Sequence, residues 1–264
     1  MQPALEALTE LSGSSGVRRG RVDPSWHQGR GGFGGLLAAT MLGAMADDVG
    51  DPARVPRSLT VHFCAPCTGP FELTTEIARI GSRVTLATAR ITSEGKLTSL
   101  ASASFCKDRP EGQRYVRARP PSVTPAGELP ELPRNVPGAP AFFEHIDARF
   151  TGDALPFSGA ETPRLAGWVR TRAPLAVDAP VAALLLDTLP PGILATFTSP
   201  RAAATVDFRI DLFASLPMSA RTDAHHLVSV ESRWADAGYT EELRDLWTED
   251  GVLVGQCRQL LALL

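Results

Sequence analysis

Three side chains in the C-terminal half could do chemistry together. Asp187 closes the otherwise apolar run Val181-Ala-Ala-Leu-Leu-Leu. A carboxylate in that setting is costly to ionise unless hydrogen-bonded, and partial desolvation raises its proton affinity toward the range useful for acid–base work. A solvated Asp at a helix end is the alternative, and the residues leave both open. Gln259 sits in a strand whose period-two face is Leu253, Gly255, Cys257, Gln259, Leu261 and Leu263. An amide among core positions needs hydrogen-bond partners there, whether structural or functional. Thr205 is less clean, because Val206, Phe208, Ile210 and Leu212 read as the core face. That parity sends Thr205 outward with Asp207 and Arg209 unless a bulge or the strand end intervenes.

The elements that must carry these residues occur twice. In the first half, Phe33 to Met45 is an apolar run of small residues and helix formers, which predicts a helix buried on nearly all sides. A strand follows at Ser58 to Phe63. Phe71 to Ile80 and Arg83 to Thr92 then alternate with period two, and Glu94-Gly95 turns the chain into Lys96 to Phe105. In the second half, Asp178-Ala-Pro180 is an N-cap with Pro in the first turn, opening a helix over Val181 to Leu189. Thr205-Val-Asp-Phe208 echoes Thr60-Val-His-Phe63, and Asp250-Gly251 echoes Glu94-Gly95 as a second two-residue hairpin turn.

Between the halves, the Pro-rich stretch from Pro110 to Pro140 reads as an extended strap. The expected organisation is therefore residues 1–109, a linker over 110–140, and residues 141–264. One buried helix followed by long antiparallel strands predicts an α+β fold in which each sheet curls around its own helix. Two such units can pair edge to edge, hiding edges that would otherwise aggregate.

Composition narrows the function classes. The 264 residues carry 26 Lys+Arg against 29 Asp+Glu, with 44% hydrophobic and 21% charged residues. That balance offers no clustered positive charge for nucleic acid or an anionic membrane. The longest uncharged apolar stretch, Gly31 to Ala46, is too short and Gly-rich to insert in a bilayer, and no secretory signal is visible. Four Cys do not make a disulfide scaffold, so a reducing cytoplasmic setting is expected.

Weaker motifs are better explained structurally. Gly29-Arg-Gly-Gly-Phe-Gly34 formally matches a dinucleotide fingerprint, but no buried parallel strand precedes it. Cys64-Ala-Pro-Cys67 ends a strand rather than opening a helix, and with His62 it lacks a second ligand pair for zinc. His225-His226 lies in an alternating stretch and is too little for a metal site. No G-x-S-x-G elbow is present, which argues against a serine α/β-hydrolase.

Longer stretches carry a family resemblance. Trp26 to Ala39 (WHQGRGGFGGLLAA), Gly167 to Arg172 (GWVRTR) and Leu246 to Gln259 (LWTEDGVLVGQCRQ) together resemble the acyl-CoA thioesterase II-like group. The resemblance covers Trp26 to Leu264 and implies a double hotdog, two long helices each wrapped by an antiparallel sheet. It implies a catalytic set of Asp187, Thr205 and Gln259, and so restores the Thr205 that strand parity had demoted. One departure is Pro190-Pro191-Gly192, close behind Asp187.

The implied chemistry is hydrolysis of an acyl-CoA thioester by water, with Asp187 as base and no covalent nucleophile, cofactor or metal. Backbone N–H groups of Gly34 and Gly35, opening the first helix, are candidate oxyanion donors that also let a substrate approach closely. Such proteins resemble self-paired dimers, so a homodimer or higher homo-oligomer is expected. Two rivals stand beside this reading. A hotdog enoyl-CoA hydratase would carry an N-P-x-H context, which is absent. A regulator could bind acyl-CoA without turnover, against which the retained Asp, Thr and Gln count.

Overall fold

The computed structural model describes residues 8–134, 136–152, 154–217 and 221–264. The first half contains β1 (Ser12–Ser14), β2 (Val17–Val22), β3 (His27–Gln28), β4 (Gly31–Gly32) and helix α1 (Gly34–Val49). Four long strands complete it: β5 (Val55–Phe63), β6 (Gly69–Ile80), β7 (Val84–Ser93) and β8 (Lys96–Cys106). The second half contains β9 (Ile146–Thr151), β10 (Arg164–Thr171), helix α2 (Ala179–Leu186), β11 (Ala203–Leu212), β12 (His226–Asp236), β13 (Tyr239–Thr248) and β14 (Leu253–Leu263).

The edge-to-edge pairing is complete: twelve strands form one continuous antiparallel sheet, rather than two separate ones, in the order β1-β2-β6-β7-β8-β5-β11-β14-β13-β12-β10-β9. Either side of the central β5–β11 pair the order is mirrored, β8-β7-β6-β2-β1 against β14-β13-β12-β10-β9, so the duplication extends to every strand of the main sheet. The halves fuse because β5 and β11 would otherwise be exposed edges with unpaired backbone groups. They pair from Ser58 with Asp211 to His62 with Asp207, which sets the echoing segments side by side.

The helices are also unequal. Helix α1 is buried from Gly35 to Met45 and ends at Gly50, which takes a left-handed φ of 63°. Helix α2 is eight residues, capped by the Asp178 carboxylate on the Val181 N–H at 3.0 Å. It stops three residues short of the expected Leu189. Pro190 disfavours helical backbone in the residue before it, and Pro190 and Pro191 have no N–H to continue the ladder. Asp187 thereby becomes the C-cap residue.

The turns differ between copies as well. Glu94-Gly95 is the expected two-residue turn, both residues at positive φ. Its counterpart after β13 is a longer loop in which the Val252 N–H donates to Thr248 Oγ1 at 3.0 Å and Thr248 donates to Asp250. The tight turn of the second half is Ala237-Gly238, between β12 and β13.

Aromatic stacking ties the halves together near the start of α1. Phe33 stacks on Phe142 with centroids 3.9 Å apart, and Trp26 stacks on His145 at 4.2 Å. The glycines between Trp26 and α1 build the β3–β4 hairpin, which removes the dinucleotide reading. The chain between the halves crosses the outer face of the second half. There Trp168 Nε1 donates to Thr124 O at 2.8 Å, and Ala126 packs with Trp168, Leu227 and Trp247 in a small separate cluster. Among the described residues no helix is long and apolar enough to cross a membrane.

Candidate active site

Asp187 ends α2 against the start of α1, so its surroundings come from both halves. A Cβ at Gly34 would lie 2.9 Å from Asp187 Oδ2 and 3.1 Å from Phe63 Cζ. One at Gly35 would lie 2.8 Å from Leu184 O and 2.9 Å from Asp187 Cβ. Only glycine lets the two helices approach this closely. The carboxylate thus faces the first turn of α1, where N–H groups lack intrahelical partners and the helix dipole is positive.

Asp187 is only 8% exposed. Loss of hydration pushes its carboxyl up to about 6; the charge of Arg244 opposes the rise, that of Glu242 adds to it, and the Gly35 backbone N–H opposes it. Arg244 Nη1 stands 3.8 Å from Asp187 Oδ1, too far for a hydrogen bond. Its protons go instead to Leu186 O at 3.1 Å and Leu189 O at 2.8 Å, capping the carbonyls at the end of α2.

Thr205 reaches the interior through a bulge. The β11–β14 register shifts between Thr205 and Asp207, leaving Val206 unpaired and reversing strand parity at that point. Thr205 therefore shares a face with Phe208 and Ile210, and its Oγ1 donates to Gln259 Oε1 at 3.0 Å. Gln259, 1% exposed, donates through Nε2 to Glu242 Oε1 at 2.7 Å. Thr205 and Gln259 are in direct contact; Asp187 joins them through Arg244 and Glu242.

Glu242 and Arg244 on β13 were missed from sequence. Glu242 is fully buried and Arg244 is 2% exposed. Glu242 accepts from Arg244 Nε at 2.6 Å, from the Gly192 N–H at 2.9 Å and from Ser232 Oγ at 3.4 Å. Counting back by two from the apolar Leu246 puts both on the core face with Thr240. That signal was present but weak, since Tyr239 to Asp245 is polar at almost every position.

Two earlier suspects have structural surroundings. His225 Nε2 lies 3.1 Å from the buried Asp147, whose carboxyl is held down at about 2, its desolvation outweighed by hydrogen bonds from Arg149 and Arg170. Cys64 and Cys67 are free thiols, and burial raises that of Cys67. Among the described residues no group of His, Cys, Asp and Glu is arranged to hold a metal ion.

Comparison with known proteins places the fold and the family. A hot dog fold protein of unknown function from Alicyclobacillus acidocaldarius is 25% identical, with TM-score 0.88 over 100% of this chain and 99% of that one. An acyl-CoA thioesterase II from Mycobacterium marinum is 21% identical, with TM-score 0.75 over 98% of each chain. A tesB protein from Mycobacterium avium subspecies paratuberculosis is 16% identical, with TM-score 0.80 over 98% of each. These likenesses establish the hotdog fold. A comparison with curated proteins finds no match. Family models describe residues 22–106 as an acyl-CoA thioesterase N-terminal domain and residues 107–263 as an acyl-CoA thioesterase C-terminal domain. With more than half of its length matched by the second model alone, the chain belongs to the acyl-CoA thioesterase family.

Proposed function

We propose that the protein hydrolyses a fatty acyl-CoA thioester to the free acid and CoA by direct attack of water, with Asp187 as general base. The observation that carries this reading is the desolvated Asp187 carboxyl, held at about 6 beside the start of α1. A base with that proton affinity is mostly ionised at neutral pH and can still accept a proton as the water attacks. The new C–O bond forms at the acyl carbon, and the tetrahedral oxyanion takes up the charge. Collapse breaks the C–S bond, and the proton from the water leaves with the CoA sulfur.

Thr205 and Gln259 orient the attacking water. For the oxyanion, the Gly34 N–H in the first turn of α1 is the available type of donor, because the Gly35 N–H already acts on Asp187. Positioning and general-base action together are worth several powers of ten in rate. Membership of the acyl-CoA thioesterase family supports the choice of substrate.

The test is thiol release from a panel of acyl-CoAs, read beside calorimetric binding. Asp187→Asn should fold and bind acyl-CoA while turnover falls about 100-fold or more. Full turnover in that variant refutes the base assignment. Tight binding without thiol release by the unaltered protein would favour an acyl-CoA-binding regulator.

A further inference from the structure

The hydrogen bonds around Gln259 have a direction. Thr205 donates to Gln259 Oε1, Gln259 Nε2 donates to Glu242 Oε1, and Glu242 is anchored by Arg244 Nε and the Gly192 N–H. A Gln amide can rotate by half a turn at little cost unless its partners differ in kind. Here rotation would set the amide oxygen against the Glu242 carboxylate at the 2.7 Å now bridged by a hydrogen. It would also turn the NH2 toward Thr205 Oγ1, whose hydroxyl proton would have to swing away toward the site. A charge-assisted bond in a buried site makes the observed orientation the stable one.

We propose that Glu242, clamped by Arg244, is a positioning residue that sets the donor direction of this relay and thereby presents Thr205 to the reacting water as a hydrogen-bond acceptor. With its own proton committed to Gln259, Thr205 Oγ1 has only lone pairs left to offer. The attacking water of the hydrolytic reading, set between Thr205 and Asp187, would then donate one hydrogen to each and leave its oxygen lone pairs for the acyl carbonyl. Reversal of the relay would make Thr205 a donor, tie up a water lone pair and blunt the nucleophile. Arg244 has a second effect, because its Nη1 holds the carbonyls at the end of α2 and so fixes where Asp187 stands.

This inference rests on the hydrolytic reading of Asp187, and the test separates the two. In Glu242→Gln the amide of Gln259 loses its charged anchor. Turnover should fall about 10-fold with KM within about two-fold, since the acceptor role acts on the water and not on substrate binding. The acid limb of the pH–rate profile should also move to lower pH, because Glu242 is the negative charge facing Asp187. Among the described residues, the other groups facing it are Arg244 on β13, the Cys257 thiol on β14 and the Gly35 N–H on α1.

Adding Thr205→Val to Glu242→Gln should cost much less than Thr205→Val alone, whereas independent losses would multiply. If Glu242→Gln does not fold, Gln259→Met replaces it in the same cycle, leaving the Glu242–Arg244 pair intact. Independent losses in the cycle, or an unshifted acid limb with unchanged kcat, overturn the relay. The hydrolytic reading survives that result so long as Asp187→Asn is inactive; an active Asp187→Asn removes both.

Discussion

Replacing Asp187 by Asn should make the protein more stable at pH 8 while leaving it almost unchanged at pH 4. The carboxyl is held at about 6 in the folded protein against 3.8 ordinarily. At about 1.4 kcal/mol per pH unit, that difference corresponds to about 3 kcal/mol. The folded state binds this proton more tightly than the unfolded chain does. Stability from this group is therefore fully present below 3.8 and is lost as pH rises through about 6. Asn resembles the protonated carboxyl at every pH, so the variant escapes the loss.

Unfolding by urea or heat, run on both proteins from pH 4 to pH 8, should show a stability difference near zero at the acid end. It should open to about 3 kcal/mol at the alkaline end, equivalent to about 6–12 °C in Tm for a chain of this size. Other perturbed carboxylates do not confuse the comparison. Asp48 and Asp147, held at about 2, and Asp245, raised by burial, are not among the charges acting on Asp187, so each contributes alike in both proteins and cancels from the difference. A difference that stays flat across the window would refute the claim that burial at the end of α2 raises Asp187.

Two further predictions follow from the packing. Gly35→Ala pushes a methyl to 2.7 Å from Phe33 Cζ and 2.8 Å from Leu184 O, so the helices must separate. Even after the helix-propensity gain of Ala, the cost should be about 1–2 kcal/mol by urea unfolding, and an unchanged midpoint would contradict it. Trp168→Phe removes the donor to Thr124 O, and amide exchange at Leu129 and Leu132 in the strap should quicken about five-fold. Unaltered exchange would mean that the strap is held elsewhere, for example by Arg149 on Ala126 O.

Much of the frame was legible from residue patterns. The buried helix from Phe33, the long alternating strands and the Glu94-Gly95 turn each follow from local periodicity and turn chemistry. The second helix was legible in place but not in length, although Pro190 carried the signal for its early stop. Asp187 and Gln259 stood out because each breaks an apolar pattern. Glu242 and Arg244 did not, because they lie in a strand that is polar on both faces, where a buried ion pair looks like a solvated edge.

What remained hidden depends on contacts between distant segments. Strand parity sends Thr205 outward, and parity is all that a single strand can express. The bulge at Val206 belongs to the register between β11 and the distant β14, and it lies just beyond the last β5–β11 pair, Asp207 with His62, so no single strand carries it. Which strands would meet at the seam, and in what register, has the same origin, since an edge strand carries no local mark of the partner that will cover it. Local pattern was enough for the duplicated scaffold and for singling out Asp187 and Gln259 as polar residues in apolar settings. Assembly of the chain supplied the direction of the hydrogen bonds, the desolvation of Asp187 and the charges that act on it, because each depends on what other segments bring within a few ångströms.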